Sequence, residues 1–334
     1  MSLIDYEDTE IFNILSLLPS SGEQEKKHFV SYIIHMQKYQ LILIPDWLGS
    51  TKKSGVELGP RKLKDSILTS PIKTHLQKEI IKVGIPKPNS SHLVGEYKTT
   101  KYLPEMKAVC IEAKKKIIQV IESKNVPIVL MGDDSSMMGV LPAIAHKYTN
   151  DYGLVWLDAH GDINTPETSP SGCLYGMSIA HMLGYGHREL TALNGKYPSL
   201  RSENLIMLGQ RALDKEEIRF INSKNIFIYN SIVINKLSAK QIVKNIILRF
   251  EAHQISKIFI HVDLDVLDPK KSPGVTLKEK NGISTKKVLE ITSYLFQYGK
   301  IIGLSIAEYN PKEDKKNKTL NAAYKIVEGY IKSI

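Results

Sequence analysis

Asp158, His160 and Asp162 stand at alternate positions in the run Leu154-Val-Trp-Leu-Asp-Ala-His-Gly-Asp-Ile-Asn. Further along, Asp263 and Asp265 repeat that spacing in Ile258-Phe-Ile-His-Val-Asp-Leu-Asp-Val-Leu-Asp-Pro. Each group closes an apolar run with side chains that bind metals. Residues two apart on a strand share a face, so each group converges on one point if its strand runs on extended. Four carboxylates and one imidazole are too many for a structural zinc site, which favours four ligands rich in Cys and His. Oxygen-rich ligation with one imidazole suits a harder ion such as Mn2+, and carboxylates can bridge two ions. Two metal ions about 3.5–4 Å apart can make a hydroxide nucleophile at neutral pH. The plainer reading makes these acids helix caps or exposed strand ends. Two such motifs in one chain favour the metal site.

The elements that must position these residues are short apolar runs bounded by polar or Gly-containing segments. They are Leu41–Ile44, Ile80–Val83, Pro127–Met131, Gly153–Leu157, Asn204–Leu208, Ile226–Tyr229, Lys257–Val262 and Lys300–Ile306. Between them lie helix-like stretches such as Glu105 to Ser123 and Ala239 to His253. Strands alternating with helices imply an α/β fold, a mainly parallel sheet covered on both faces. Ligands bind such sheets beyond the carboxyl ends of the strands, where both motifs sit. No linker or repeat divides the chain. The expectation is one three-layer domain over residues 41–334, preceded by an added helical segment over 1–40 that covers the sheet, mediates assembly or contacts substrate.

Composition fits an enzyme of this size. The chain has 334 residues, 42% of them hydrophobic, enough for a large core. No apolar run is long enough to span a membrane. The acidic start Met-Ser-Leu-Ile-Asp-Tyr-Glu-Asp lacks the charged and apolar regions of a secretory signal. Cys110 and Cys173 are the only cysteines and lie far apart, which points to a reducing, cytoplasmic setting rather than a disulfide framework. The formal net charge is +10, carried mostly by scattered Lys. Nucleic-acid binding would need a clustered basic stripe with stacking aromatics, and neither is present. An acidic peptide or protein partner stays open.

Longer stretches carry a resemblance. Asp158-Ala-His-Gly-Asp-Ile-Asn-Thr-Pro-Glu-Thr-Ser and His261-Val-Asp-Leu-Asp-Val-Leu-Asp-Pro resemble the two metal motifs of the ureohydrolase family, the arginase and agmatinase group. Gly303-Leu-Ser-Ile-Ala-Glu-Tyr-Asn-Pro is similar to the segment whose Glu holds the substrate guanidinium, here Glu308. Ser54-Gly-Val-Glu-Leu-Gly-Pro-Arg-Lys-Leu resembles the N-terminal signature of the arginase branch. The similarity runs from about Leu41 to the C-terminus. It implies an eight-stranded arginase-like sheet, two Mn2+ per chain and homo-oligomeric assembly. One ion would take Asp134, Asp158, Asp162 and Asp263, the other Asp158, His160, Asp263 and Asp265, with Asp158 and Asp263 shared.

Several positions depart from the family. Met131-Gly-Asp-Asp-Ser-Ser aligns with a loop reading Gly-Gly-Asp-His-Ser, so Asp134 replaces a ligating His. Carboxylate remains a competent Mn2+ ligand. The added negative charge disfavours hydroxide and strengthens the hold on hard cations. Tyr175 replaces a proton-shuttling His, and its reference pKa near ~10 makes it a poor shuttle at neutral pH. Cys173 replaces an Asn that helps bind the α-carboxylate, and reads as pocket lining. Asn164 and Ser171 remain on the carboxylate side. Asp214 and Glu217 fall on the acidic positions that read the α-amino group, while Ala212 loses an Asp.

By resemblance, Glu308 holds the guanidinium, Asp162 passes a proton to the departing amine, and the products are urea and a primary amine. The weakened carboxylate side favours a substrate whose carboxyl is already an amide: an arginine residue within a peptide, converted to an ornithine residue. Free arginine, agmatine or another small guanidino compound are the alternatives. So are a single-zinc amide hydrolase of the histone-deacetylase type, which lacks the paired strand-end motifs, and a metal-poor binding subunit. His261 reads as packing beneath the metal ligands, and His181 and His187 as structural or surface residues.

Overall fold

The computed structural model describes residues 38–149, 151–195, 198–298 and 300–333. Its strands are β1 (Tyr39–Ile44), β2 (Ile81–Lys82), β3 (Val126–Met131), β4 (Tyr152–Leu157), β5 (Leu205–Leu208), β6 (Phe227–Tyr229), β7 (Lys257–Asp263) and β8 (Ile301–Ala307). They form one eight-stranded sheet in the order β2-β1-β3-β8-β7-β4-β5-β6. Every pairing is parallel, so the mainly parallel sheet expected from the runs is parallel throughout. All eight strands fall on the apolar runs. The helical extension placed on 1–40 lies outside the described residues as far as residue 37. Tyr39 and Gln40 belong to β1, so the sheet begins earlier than residue 41.

Period-two alternation sorts the strand side chains into two buried layers. Leu41, Leu43, Ile128, Leu130, Val155, Leu157, Ile258 and Ile260 face one layer. Ile42, Ile44, Val129, Met131, Leu154, Trp156 and Phe259 face the other. Both faces being covered, the strands read as continuous apolar runs. Helices Gly59–Leu68, Ala239–Ala252, Thr285–Gln297 and Lys318–Ile331 cover the first face. Leu103–Glu122 and Met137–Tyr148 cover the second.

Helix Ala239–Ala252 shows why these segments fold locally. Ser238 and Gln241 close a capping box at its start, and Ile242, Val243, Ile246 and Phe250 make a buried stripe at helical spacing. Helix Thr285–Gln297 repeats the scheme, with Ser284 capping Lys287 and Val288, Ile291 and Leu295 buried.

Two features set the geometry at the carboxyl ends. A Cβ on Gly132 would lie 1.8 Å from the Asp46 carbonyl oxygen, so only glycine lets the chain after β3 pass the chain after β1. The Glu308 amide then donates to the Gly132 carbonyl at 2.8 Å, tying the end of β8 to β3. Partners in β7 and β8 also skip one residue, from Ile258↔Ile301 to Phe259↔Gly303. This bulge fixes which β8 side chains face the site.

Candidate metal centre and active site

The four central strands β3, β8, β7 and β4 deliver Asp134, Glu308, Asp263 and Asp158 at one end of the sheet. Carboxylate oxygens of Asp134, Asp158 and Asp263 lie within 4.8 Å of one another. Ligand atoms of Asp158, His160 and Asp265 form a second such group. Asp158 belongs to both.

Convergence does not come from strands running on extended. β4 ends at Leu157, and the chain turns so that the His160 amide donates to Asp158 Oδ1 at 2.6 Å. Asp263 is the last residue of β7, and Asp265 lies in the one-turn helix Leu264–Val266, where its amide donates to Asp263 Oδ1 at 2.7 Å. In both motifs the first Asp accepts from the backbone two residues on, a local turn that Asp favours. A turn at each first Asp, rather than an extended strand, brings each pair together. His160 Nδ1 ends 2.8 Å from Asp265 Oδ2 and 3.5 Å from Asp158 Oδ1. The Ala159 amide donates to the other Asp265 oxygen at 3.0 Å. Asp162 and Glu308 both have left-handed backbones, with φ of 47° and 62°. Residues with a Cβ adopt this conformation uncommonly, and nine other non-glycine residues share it among those described.

The electrostatics favour a bound cation. Burial pushes the carboxyls of Asp134 and Asp263 well above the usual range, and neighbouring acids add to it. Burial raises Asp158 too, and raises Asp162 well up with repulsion from Asp134 and Asp158. Burial would raise Asp265 as well, but His160 and the Ala159 amide outweigh it and hold it low. Burial alone would lower His160, yet Asp265 and Asp158 carry it up to about 12. Asp134 Oδ1 and Asp162 Oδ2 are buried without a hydrogen-bond partner. Unpaired buried oxygens are costly. A set of oxygens with one imidazole, in two overlapping groups, fits a pair of hard divalent ions.

Beneath the acids, the Trp156 indole donates to Asp158 Oδ2 at 2.8 Å. His261 stacks on Trp156 at 3.9 Å, with Nδ1 2.8 Å from Ser305 Oγ, and is fully buried. It is packing, as read from the sequence. His181 is also structural. Its Nε2 accepts from the His187 amide at 3.0 Å, so Nδ1 carries the proton donated to the Met177 carbonyl.

A cavity of about 390 Å³ opens over His160 and Asp162. Asn164, Ser171, Tyr175, Asp214 and Glu217 line it. Their side chains are largely engaged with one another. Asn164 Nδ2 donates to Asp214 Oδ2 at 2.9 Å, and its Oδ1 accepts from Thr168 at 2.9 Å. Both Glu217 oxygens accept backbone amides, from Ile163 at 3.2 Å and Asp214 at 2.8 Å. Asp214 and Glu217 are the capping box of helix Lys215–Ser223. Ser171 Oγ accepts from the Cys173 amide. Burial and nearby acids push the Tyr175 phenol up. Cys173 and Glu308 lie outside the cavity lining. Cys173 is buried at the start of the one-turn helix Leu174–Met177, its Sγ 3.8 Å from the Thr51 hydroxyl. Glu308 stands against the acid cluster, its carboxyl raised well up by burial and then by Asp133 and Asp134.

Leu277 and Glu279 also line the cavity. Sequence reasoning missed them because they lie on a polar loop without a motif. Arg211 carries no motif signal either, although it directly precedes Ala212. Trp156 did have a signal, since it precedes Asp158 by two residues on the same strand face.

The profile of the Arginase family matches residues 37–331. An arginase of Staphylococcus aureus (strain COL) is 33% identical over 290 residues, 86% of this chain and 94% of that protein. An arginase of Bacillus caldovelox is 32% identical over 295 residues, 86% of this chain and 96% of that protein. The solved native structure of the Bacillus caldovelox arginase superposes with a TM-score of 0.82 at 30% identity, covering 89% of this chain and 99% of that one. No described helix is long and apolar enough to cross a membrane. Signature, sheet order and acid cluster agree with these matches, and the chain belongs to the arginase family of ureohydrolases.

Proposed function

We propose that the protein hydrolyses the guanidino group of arginine to urea and an ornithine product, with two Mn2+ at the acid cluster. The observation that carries this is the pair of overlapping groups, Asp134–Asp158–Asp263 and Asp158–His160–Asp265, beside the pocket floor. Asp134, Asp158, Asp162 and Asp263 would hold one ion, and Asp158, His160, Asp263 and Asp265 the other. When bound, the ions would supply a nucleophilic oxygen at neutral pH and Lewis-acid stabilisation.

The chain's own residues do the rest. Glu308, crowded among acids, gains from a guanidinium through charge-assisted hydrogen bonds. Asp162 lines the pocket with an oxygen that has no partner. It takes the proton lost by the attacking water and gives it to the side-chain nitrogen as the carbon–nitrogen bond breaks. Tyr175 stays protonated across the working range, so it donates a hydrogen bond rather than relaying a proton. Asp214 and Asn164 form the rim facing the α-carbon, and Glu217 holds that rim in place.

The preferred substrate is an arginine whose carboxyl is not free, as in a peptide. The described lining contains no Lys or Arg to pair with a carboxylate. Lys101, beside Ser171, gives its ammonium to the Ser171 carbonyl at 2.6 Å. The test is urea release by Mn2+-loaded protein from free arginine, agmatine and an arginyl peptide, with metal content measured on the same sample. An arginyl peptide turned over faster than free arginine supports the reading. Equal rates remove the peptide preference. No urea from any substrate, with less than one ion per chain, overturns the hydrolase itself.

A further inference from the structure

Four carboxylates line the cavity: Asp162, Asp214, Glu217 and Glu279. Three already have work. Asp162 belongs to the metal cluster, Glu217 accepts backbone amides on both oxygens, and Asp214 accepts from Asn164. Glu279 differs. Its carboxylate accepts no hydrogen bond among the described residues, and its nearest basic neighbour, His160 Nε2, is 3.9 Å away. Its side chain is 41% exposed at the cavity rim.

The backbone beneath it is held firmly. Arg211 Nη2 donates to the Glu279 carbonyl at 3.2 Å, and Nε to the Lys280 carbonyl at 3.0 Å. Lys278 pairs with Glu313. Thr276 Oγ1 accepts from Asn310 at 3.1 Å and donates to Ser54 at 3.1 Å. The loop base is closed by Asp268 and Ile283 at 2.9 Å. A half-exposed carboxylate on a pinned loop, with only the 3.9 Å contact to His160 on it and facing a cavity whose lining lacks any Lys or Arg, is preorganised to receive a second cation.

We propose that Glu279 sets specificity by pairing with an ammonium group at the far end of the substrate. The pocket then selects a guanidino compound with a second positive charge and no free carboxylate. An N-terminal arginine with its carboxyl in a peptide bond, arginine amide and agmatine all share that chemistry. The inference rests on the ureohydrolase reading above and adds the residue that discriminates within it. Arg211 is the positioning residue that aims the loop.

The experiment compares wild type with Glu279→Gln and Glu279→Lys. Substrates are arginine amide, Nα-acetyl-arginine amide, agmatine and free arginine. Metal content and thermal stability are measured on each protein. The ratio of KM for arginine amide to KM for its acetylated form should rise about 5- to 10-fold in Glu279→Gln, with the effect in KM rather than kcat, as expected for a partly exposed charge pair that gains from substrate closure. Agmatine should follow arginine amide. Glu279→Lys should shift the preference towards free arginine, whose carboxylate it can meet. Equal changes for acetylated and unacetylated substrates, or no change, would overturn the proposal. If wild type releases no urea at all, binding still decides. The thermal shift from ornithine amide should exceed that from Nα-acetyl-ornithine amide in wild type, and the difference should vanish in Glu279→Gln. Equal shifts in wild type overturn the role of Glu279 independently of the reaction.

Discussion

Replacing Arg211 with Met tests whether one guanidinium holds the rim of this site. Its three nitrogens reach five backbone carbonyls within 3.3 Å: those of Gly209, Asp265, Val266, Glu279 and Lys280. Gly209, Asp265 and Val266 are buried, whereas the carbonyls at 279 and 280 lie near solvent. Water can replace Arg211 at the outer two. The inner three lose their donor at roughly 1 kcal/mol each, about 3 kcal/mol in sum. Taking a guanidinium partly out of water has its own penalty, so the net loss should be about 2 kcal/mol. Arg211→Lys keeps the charge but not the planar fork, and should recover less than half. Denaturant unfolding with hydrogen exchange over residues 265–283 is the assay. The expected result is that stability falls by that amount and protection is lost first in this loop. The variants should also lose discrimination between arginine amide and its acetylated form, because Glu279 is no longer aimed. Stability within about 0.5 kcal/mol of wild type, with the loop still protected, would refute the reasoning.

Other outcomes follow from the same geometry. Asp134→Asn should cost about one divalent ion per chain by elemental analysis. It should also raise the melting temperature in chelator, because it removes a buried carboxyl crowded by other acids, whose Oδ1 has no partner. An unchanged ion count would remove Asp134 from the ligand set. Tyr175→Phe should lower kcat less than about tenfold and leave the limbs of the pH–rate profile in place, since the phenol is held protonated. A limb that disappears in this variant would show Tyr175 relaying a proton. Burial lowers His181 from 6.5 to about 4. Between those values the unfolded chain binds more protons, so this group's contribution is full above 6.5 and falls away as pH drops towards 4. The difference in stability between wild type and His181→Asn should therefore change by about 3 kcal/mol across that window. A flat difference would mean that His181 is not held neutral.

The fold was legible because both faces of the sheet are buried. A strand covered on both sides is a short apolar run whatever its neighbours, and Leu41–Ile44, Pro127–Met131 and Gly153–Leu157 each stand out as one. Edge strands were harder to bound. β2 has only two residues, Ile81 and Lys82, with Lys82 exposed, so the apolar run around it overstated its length. Strand order was not written in any single run. It depends on which helices cover which face, and that follows from long-range packing between layers.

The acid cluster was legible for a different reason. A carboxylate placed after an apolar strand has few structural uses, and five positions of that kind narrow the choice to a metal. The mode of convergence was not visible, because alternation predicts an extended continuation and the chain instead turns at Asp158 and Asp263. An Asp that accepts from the amide two residues on looks the same in sequence whether the strand continues or stops. The rim was least legible. Asp214 and Glu217 carry both a recognition pattern and a capping-box pattern, and the structure commits both Glu217 oxygens to backbone amides, one in the capping box and one from Ile163. Glu279 carries no pattern at all. Its availability depends on Arg211, Lys278 and Thr276 holding the backbone while its carboxylate makes only a long 3.9 Å contact with His160. Site residues that act through ligation leave a trace in local spacing. Those that act by remaining unpaired become visible only when every neighbour has been placed, which is why substrate discrimination has to be tested at the loop rather than at the metal ligands.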